Sequence, residues 1–371
     1  MGRRRGKVPP PWAVIDPWKD RDKTQAARPR TDIPCNGPAR GPSLPEGGRP
    51  MSDFQYDLVV IGSGPAGQKA AINAARLGKR VCLIDRPTSV GGVCIHTGTI
   101  PSKAIREAIL HLTGLRERSI YGASYQVKDR ITMADLLYRC DHVVRSEVDV
   151  IRSQMNAAGI EVFSGTASFA GPHDIRIELE SGSTLVRGEH ILIAVGTVPA
   201  RPAETLFTPG RVIDSSELLE LRELPASMTV VGGGVIGIEY ACMMCAAGVK
   251  VTVVESRPRL LEFVDDELAE ALQFRIREMG IRLRLGESVA RIRLEPDRVE
   301  ADLASGKVVR SEVLLYAIGR QGATAGLKLE AAGLAAAEFQ IRLNDRNALT
   351  GLLDTLGLSD AAHASTRLGV L

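Results

Sequence analysis

No uncharged apolar run in this chain approaches the roughly 18 to 20 residues that a membrane-spanning helix needs. The arginine-rich start also lacks the apolar stretch of a secretory signal. The expected setting is the cytoplasm, with no membrane partner. Cysteine patterning is missing too. Cys35, Cys82, Cys94, Cys140, Cys242 and Cys245 are scattered without the spacing of a disulfide framework, which points to a reducing compartment. No second cluster joins Cys94 and His96 at ligand spacing, so no metal site is expected. Charge of one sign is lacking as well. The net charge of +3 arises in the first fifty residues, where eleven Lys and Arg meet five acids, and the remainder sits at about −3. No basic face for nucleic acid follows from that balance.

What is present is 44% apolar and 25% charged residues over 371 positions, the profile of a globular protein of two or three domains. Residues 1–50 hold ten of the twenty prolines and both tryptophans and show neither helical nor strand periodicity. They read as a disordered extension, because such a segment cannot bury enough apolar surface to offset an ordering entropy of roughly 1 to 2 kcal/mol per residue.

From Tyr56 the text changes. YDLVVIGSGPAGQKAAINAARLGKRVCLID reads as strand, glycine-rich turn, helix and strand, with Gly62, Gly64 and Gly67 forming GxGxxG directly after the apolar run. That spacing allows a tight turn, a close backbone approach to a pyrophosphate and close helix-on-strand packing. The phosphates would sit at the helix N-terminus. Asp85, 23 positions after Gly62, stands where a carboxylate can accept from adenosine ribose hydroxyls. The pattern recurs 170 positions later in MTVVGGGVIGIEYACMMCAAGVKVTVVE, with Gly232, Gly234, Gly237 and then Glu255, again 23 positions on. Two such units describe a protein that holds two dinucleotides and passes something between them. The stretch between them predicts a long helix within 130–159 and then, over 160–197, a small antiparallel meander closing on a strand from Ile191 to Val195.

Between the units lies DRPTSVGGVCIHTGTIPSK, residues 85–103, a loop that feeds a helix. Cys94 has no cysteine five positions on. Thr99 stands there, so no dithiol relay can form. Lys103 near the start of the following helix is disfavoured by the helix dipole, and Glu239 of the second unit is the expected partner. Cys242 and Cys245 have CxxC spacing but fall well inside the second unit's helix, where packing on the sheet is expected instead of redox chemistry. His111, His142, His173 and His190 belong to no constellation.

The motifs GSGPAG, GGVCIHTGTIPSK, ILIAVGT, VVGGGVIGIE and YAIGR, in that order over about 53–334, make the chain resemble the two-dinucleotide flavoprotein disulfide reductases. The fold implied is α/β, with two Rossmann-like βαβ dinucleotide-binding domains, each carrying an antiparallel meander. They would comprise an FAD domain at 51–198, an NAD(P) domain at 199–318 and a return to the FAD domain at 319–334. The resemblance implies FAD contacts from Gly62, Gly64, Gly67, Asp85, Arg86, Gly91, Gly92, Cys94, Lys103 and Gly196, with Gly165 near the adenine. It gives Lys103 and Glu239 the catalytic ion pair, and contacts to the nicotinamide nucleotide from Gly232, Gly234, Gly237, Glu255 and Gly319.

Thr99 in place of the second cysteine resembles one branch of that family, the soluble pyridine nucleotide transhydrogenases, in which hydride passes only between flavin and nicotinamide. NADPH and NAD⁺ would then use one site in turn. Glu255 favours NAD, while Arg257 and Arg259 could accommodate the phosphate of NADP. The competing expectations are a lipoamide dehydrogenase-like disulfide oxidoreductase and a nucleotide-binding fragment without catalysis. A second departure supports the last of these. The family's Gly-Asp dipeptide occurs nowhere in the sequence, and 335–371 reads as an atypical tail in place of the domain through which the family forms homo-oligomers. The expectation is weak FAD binding and impaired activity.

Overall fold

The computed structural model describes residues 53–337 and 340–342, apart from positions 116, 123 and 126. The proposed extension at 1–50 and most of the proposed tail lie outside them.

Strand β1 (Tyr56–Ile61) runs into helix α1 (Pro65–Arg76) and returns as β2 (Val81–Asp85). The last four residues of β1 are buried, as expected of a parallel strand covered on both faces. Pro65 suits the first turn of α1, where its missing N–H costs nothing, and small Ala71 and Ala74 are buried on the helix. Short helices α2 (Gly92–His96), α3 (Thr99–Leu112) and α4 (Arg118–Tyr121) follow, then α5 (Met133–Ala157). This 25-residue helix falls where the periodicity predicts it. A capping box starts it: the Asp135 N–H donates to Thr132 Oγ1, and the Asp135 carboxylate accepts from the Thr132 N–H, a device that contributes about 1 kcal/mol.

The region read as one meander divides in the structure. Strand β3 (Glu161–Ser164) pairs parallel with β2. Only β4 (Thr166–Phe169), β5 (Asp174–Leu179) and the first half of β6 (Gly182–Ile193) are antiparallel. The predicted strand from Ile191 is the second half of β6, which pairs parallel with β1. Gly188 marks the change of partner. A side chain there would press on Val59, so only a residue without one lets β6 cross β1 and continue. The six strands are ordered β3-β2-β1-β6-β5-β4.

Strand β7 (Thr197–Pro199) leads to β8 (Val212–Asp214), β9 (Ser227–Val231), α6 (Val235–Ala246), β10 (Lys250–Glu255), α7 (Asp266–Glu278) and β11 (Arg282–Leu285). An antiparallel trio follows, β12 (Val289–Leu294), β13 (Val299–Leu303) and β14 (Val308–Ser311), and then β15 (Val313–Tyr316). The second sheet is fully parallel, in the order β11-β10-β9-β15-β8. Strand β16 (Arg320–Gly322) pairs antiparallel with β7, and the Arg320 guanidinium donates to Thr197 Oγ1 and to the Thr197 carbonyl, each at 2.8 Å. The chain then returns to the first sheet, where Leu327 and Leu329 pack with Phe169, Ile175 and Ile177. Short strands β17 (Ala335–Ala337) and β18 (Gln340–Arg342) pair with each other.

Helices α3 and α5 of the first unit join the core of the second sheet. Ile105 and Ala108 of α3 and Leu136 and Cys140 of α5 cluster with Tyr240, Ala241 and Met244 of α6. Helix α6 is therefore covered by its own sheet and by α3 and α5, which explains why its sequence is apolar nearly all round. No described helix is long and apolar enough to cross a membrane.

Candidate active site

Both glycine-rich turns sit at the C-terminal end of a strand with parallel neighbours on both sides, with each glycine in a different situation. Gly62 has φ +103° and Gly232 φ +110°, in the left-handed region where side chains are strained. A Cβ on either would also run into a backbone carbonyl, that of Ala194 or Ala317. A Cβ on Gly67 or Gly237 would strike the carbonyl of Gly62 or Gly232, so the helix can cross the turn only without one. Gly64 and Gly234 differ. Each precedes a helix, and a Cβ there would meet nothing. That free space lies where helix N–H groups are unpaired and an anion is favoured.

The strand-end acids hold the turns. Asp85 Oδ2 accepts from the N–H and hydroxyl of Ser63, at 2.7 and 2.5 Å, and Oδ1 accepts from the Arg86 N–H at 2.7 Å. Ser63 Oγ also accepts from the Gly91 N–H at 3.0 Å, and the Ser63 carbonyl accepts from Gln68 Nε2 at 2.6 Å. Ser63 is fully buried. It thus ties together the turn, the acid and the Gly91–Gly92 corner, whose Gly92 lies against Gly64. The Gly165 N–H donates to the Asp85 carbonyl at 2.9 Å. In the second unit Glu255 Oε2 accepts from the Gly233 N–H at 2.5 Å, while Oε1 accepts from Arg257 Nε at 3.0 Å and the Arg257 N–H at 2.9 Å. Burial pushes the Glu255 carboxyl up. The Arg257 side chain and the backbone N–H groups outweigh that burial, so the group lies below the usual carboxylate range.

Lys103, on α3, reaches α6. Its Nζ donates to Glu239 Oε1 at 2.6 Å, the pair expected from the sequence. With the Lys103 side chain 57% exposed, such a pair contributes at most about 1 kcal/mol to stability. Its value lies in fixing where the ammonium sits. Cys94 is a free thiol on α2, and His96 Nε2 is hydrogen-bonded to the Val90 carbonyl at 2.8 Å. No group of three or more potential metal ligands occurs among the described residues. Cys242 and Cys245 are also free. Burial, with Cys245 nearby, pushes the Cys242 thiol up to about 11, and Cys245 Sγ donates to the Met279 carbonyl at 3.2 Å. These thiols pack, as expected, and are poor nucleophiles.

A cavity of about 1160 Å³ opens along the second unit, lined by Gly232, Gly234, Glu255 and Gly319 together with Tyr316 and Arg257. Gly196, with φ +66°, and Gly319, with φ +131°, each follow the last strand of their sheet and accept from Ala323 and Ala200. Ser63, Gln68 and the Arg320–Thr197 link escaped the sequence reading. Ser63 occupies the unconstrained middle position of GxG, and the link depends on residues over a hundred positions apart, so neither leaves a local signal.

A model of the pyridine nucleotide-disulphide oxidoreductase family matches residues 56–350. The chain belongs to that family. A protein named soluble pyridine nucleotide transhydrogenase from Mycobacterium tuberculosis is 51% identical over 282 residues, covering 76% of this chain and 60% of that relative. One of the same name from Colwellia psychrerythraea is 39% identical, covering 79% of this chain and 63% of the other. The chain thus spans about 60% of the length of these relatives. Among solved structures, the HOCl-induced flavoprotein disulfide reductase RclA from Escherichia coli aligns with TM-score 0.68 and 30% identity, covering 84% of this chain and 71% of that one. LpdA from Mycobacterium tuberculosis aligns with TM-score 0.68 and 26% identity, covering 76% and 62%. The α/β fold with two Rossmann-like dinucleotide-binding regions is that of these flavoproteins. Membership implies FAD and a nicotinamide nucleotide. The open space at Gly64 and Gly234, each at a helix N-terminus with an acid anchored close by, fits a dinucleotide pyrophosphate in both places.

Proposed function

We propose that this chain carries the nucleotide-handling part of a flavin-dependent transhydrogenase, which moves hydride between NADPH and NAD⁺ in the cytoplasm. One observation carries the reading. Thr99 stands where a disulfide reductase needs its second thiol, yet four residues on Lys103 keeps its ion pair with Glu239. The machinery that would face a flavin is retained while the thiol relay is not.

Bound FAD would supply the hydride-accepting and hydride-returning chemistry. The protein's part is to hold and orient. Gly62, Gly64, Gly67 and the Gly91–Gly92 corner would receive the flavin nucleotide, with Asp85 at its adenosine ribose. Gly232, Gly234, Gly237, Glu255 and Gly319 would receive the nicotinamide nucleotide. Glu239 fixes the direction of the Lys103 ammonium, so that positive charge is in place before reaction and needs no reorganisation.

The test is NADPH-driven reduction of thio-NAD⁺ by the purified chain, titrated with FAD. Turnover that rises with added FAD and saturates is expected. A chain that binds both nucleotides but transfers no hydride at any FAD concentration is a binding module, and the transhydrogenase reading is then wrong.

A further inference from the structure

Three arginines line the cavity of the second unit: Arg257, Arg291 and Arg293. Two are committed. Arg257 is bonded to Glu255, and Arg293 holds Asp302 through two hydrogen bonds at 3.0 and 2.7 Å and also pairs with Glu300. Arg259, on the same loop as Arg257, is paired with Asp266. Arg291 alone among the three lining arginines has no hydrogen bond or ion pair with a described residue, and its cross-strand neighbour Asp302 is the residue Arg293 occupies. The register of β12 against β13 also skips between Val289 and Arg291. That is a bulge, a feature that re-aims a side chain on an edge strand. This strand borders the adenosine end of the cavity, because the Glu287 N–H donates to the Glu255 carbonyl at 3.0 Å and the chain continues from there into β12.

Glu255 adds a second line of argument. A strand-end carboxylate ordinarily accepts from the ribose 2′-hydroxyl and repels a 2′-phosphate. Here both oxygens are already engaged, by Gly233 on one side and Arg257 on the other, and the side chain is only 3% exposed. Its charge is offset by a guanidinium in contact with it. The repulsion that would exclude a 2′-phosphate is therefore weakened, and Arg291, exposed and without a hydrogen bond or ion pair to a described residue, lines the same cavity.

We propose that Arg291 is the residue that admits a ribose 2′-phosphate, so that one cavity accepts dinucleotides with and without that group. The inference rests on the reading of this cavity as a nucleotide site and adds the residue that sets its breadth. The probes are 2′,5′-ADP and 5′-AMP, which share adenosine and the 5′-phosphate and differ at the 2′ position. Binding to the full chain is measured by calorimetry for the wild type, Arg291→Ala and Arg291→Lys. Arg291→Ala is expected to weaken 2′,5′-ADP roughly ten-fold, the value of one charge-assisted hydrogen bond. It should leave 5′-AMP unchanged, and Arg291→Lys should recover part of the loss. Equal weakening of both probes would mean that Arg291 stacks on the adenine, and unchanged 2′,5′-ADP binding would mean that it does not touch the nucleotide. Either result overturns the proposal while leaving the nucleotide site intact. Failure of the wild type to bind either probe would instead remove the nucleotide site itself, and the proposal with it.

Discussion

The two glycine-turn units follow the same backbone plan. In each, the first glycine donates to the second strand, Gly62 to Ile84 and Gly232 to Val254, both at 2.8 Å, and the residue just past the adjoining last strand donates to the first, Ala194 to Ile61 and Ala317 to Val231, again at 2.8 Å. The units differ in their side chains. The first anchors its acid with neutral donors, the N–H and hydroxyl of Ser63. The second has glycine at that position and anchors its acid with Arg257. One carboxylate is held by neutral donors alone, while the other has a guanidinium in contact with it. The same turn can thus be specialised for nucleotides of different charge without moving the backbone. The helices differ as well. Helix α1 packs on its own sheet and on α5, whereas α6 packs on its own sheet and on both α3 and α5, and that places Glu239 within reach of Lys103.

The sharpest way to break the comparison is through the glycines. Gly67→Ala and Gly237→Ala each drive a methyl group into a carbonyl and are expected to destabilise by about 3 kcal/mol or more, read as a fall in urea midpoint. Gly64→Ala and Gly234→Ala enter open space and should cost about 1 kcal/mol or less as caps, while abolishing FAD and nicotinamide nucleotide binding respectively. If the middle glycines proved as costly to stability as the third ones, the space at the helix N-termini would not be a ligand site.

A smaller effect sharpens the electrostatic half. The Glu255 carboxyl is held below the usual range in the folded chain. Its contribution to stability is therefore fully present above the unfolded carboxyl value of about 4.3 and is lost as pH falls through the lower folded value. Glu255→Gln should be less stable at neutral pH by about 1 to 3 kcal/mol, because Arg257 and the Gly233 N–H lose a charged acceptor. Its stability should also fall less steeply than that of the wild type below about pH 4.3. Parallel acid profiles for the two proteins would show that the carboxylate is not held as described.

The smallest expected change in stability is at the junction. Lys103→Met removes an exposed pair and should shift unfolding by no more than about 1 kcal/mol, while hydride exchange falls by a factor on the order of ten or more. A large loss of stability with exchange intact would make the pair a strut and nothing else.

Much of this was legible in the sequence, for physical reasons. Each glycine-turn unit is a local pattern of strand, turn, helix and strand whose spacing is set by packing, so Gly62, Gly64, Gly67 and Asp85 and their counterparts could be located by counting. Lys103 and Glu239 could be matched because both follow recognisable turns. The meander at 160–197 could not be divided correctly. Period-two alternation reports a pleated strand without naming its partner, and it does not record that Gly188 meets Val59 where β6 leaves β5 for β1. Arg257 was visible as a cation near the ribose end, but not as the partner of Glu255. The availability of Arg291 depends on Asp302 being occupied across a strand pair, which no local pattern records.

The most direct test of the central claim is Cys94→Ser in the FAD-supplemented chain, assayed side by side for NADPH to thio-NAD⁺ exchange and for reduction of lipoamide and glutathione disulfide. The prediction is exchange retained within about two-fold, since hydride passes between the cofactors without a thiol, and no disulfide reduction by either protein. Disulfide reduction by the wild type that vanishes in Cys94→Ser would contradict it.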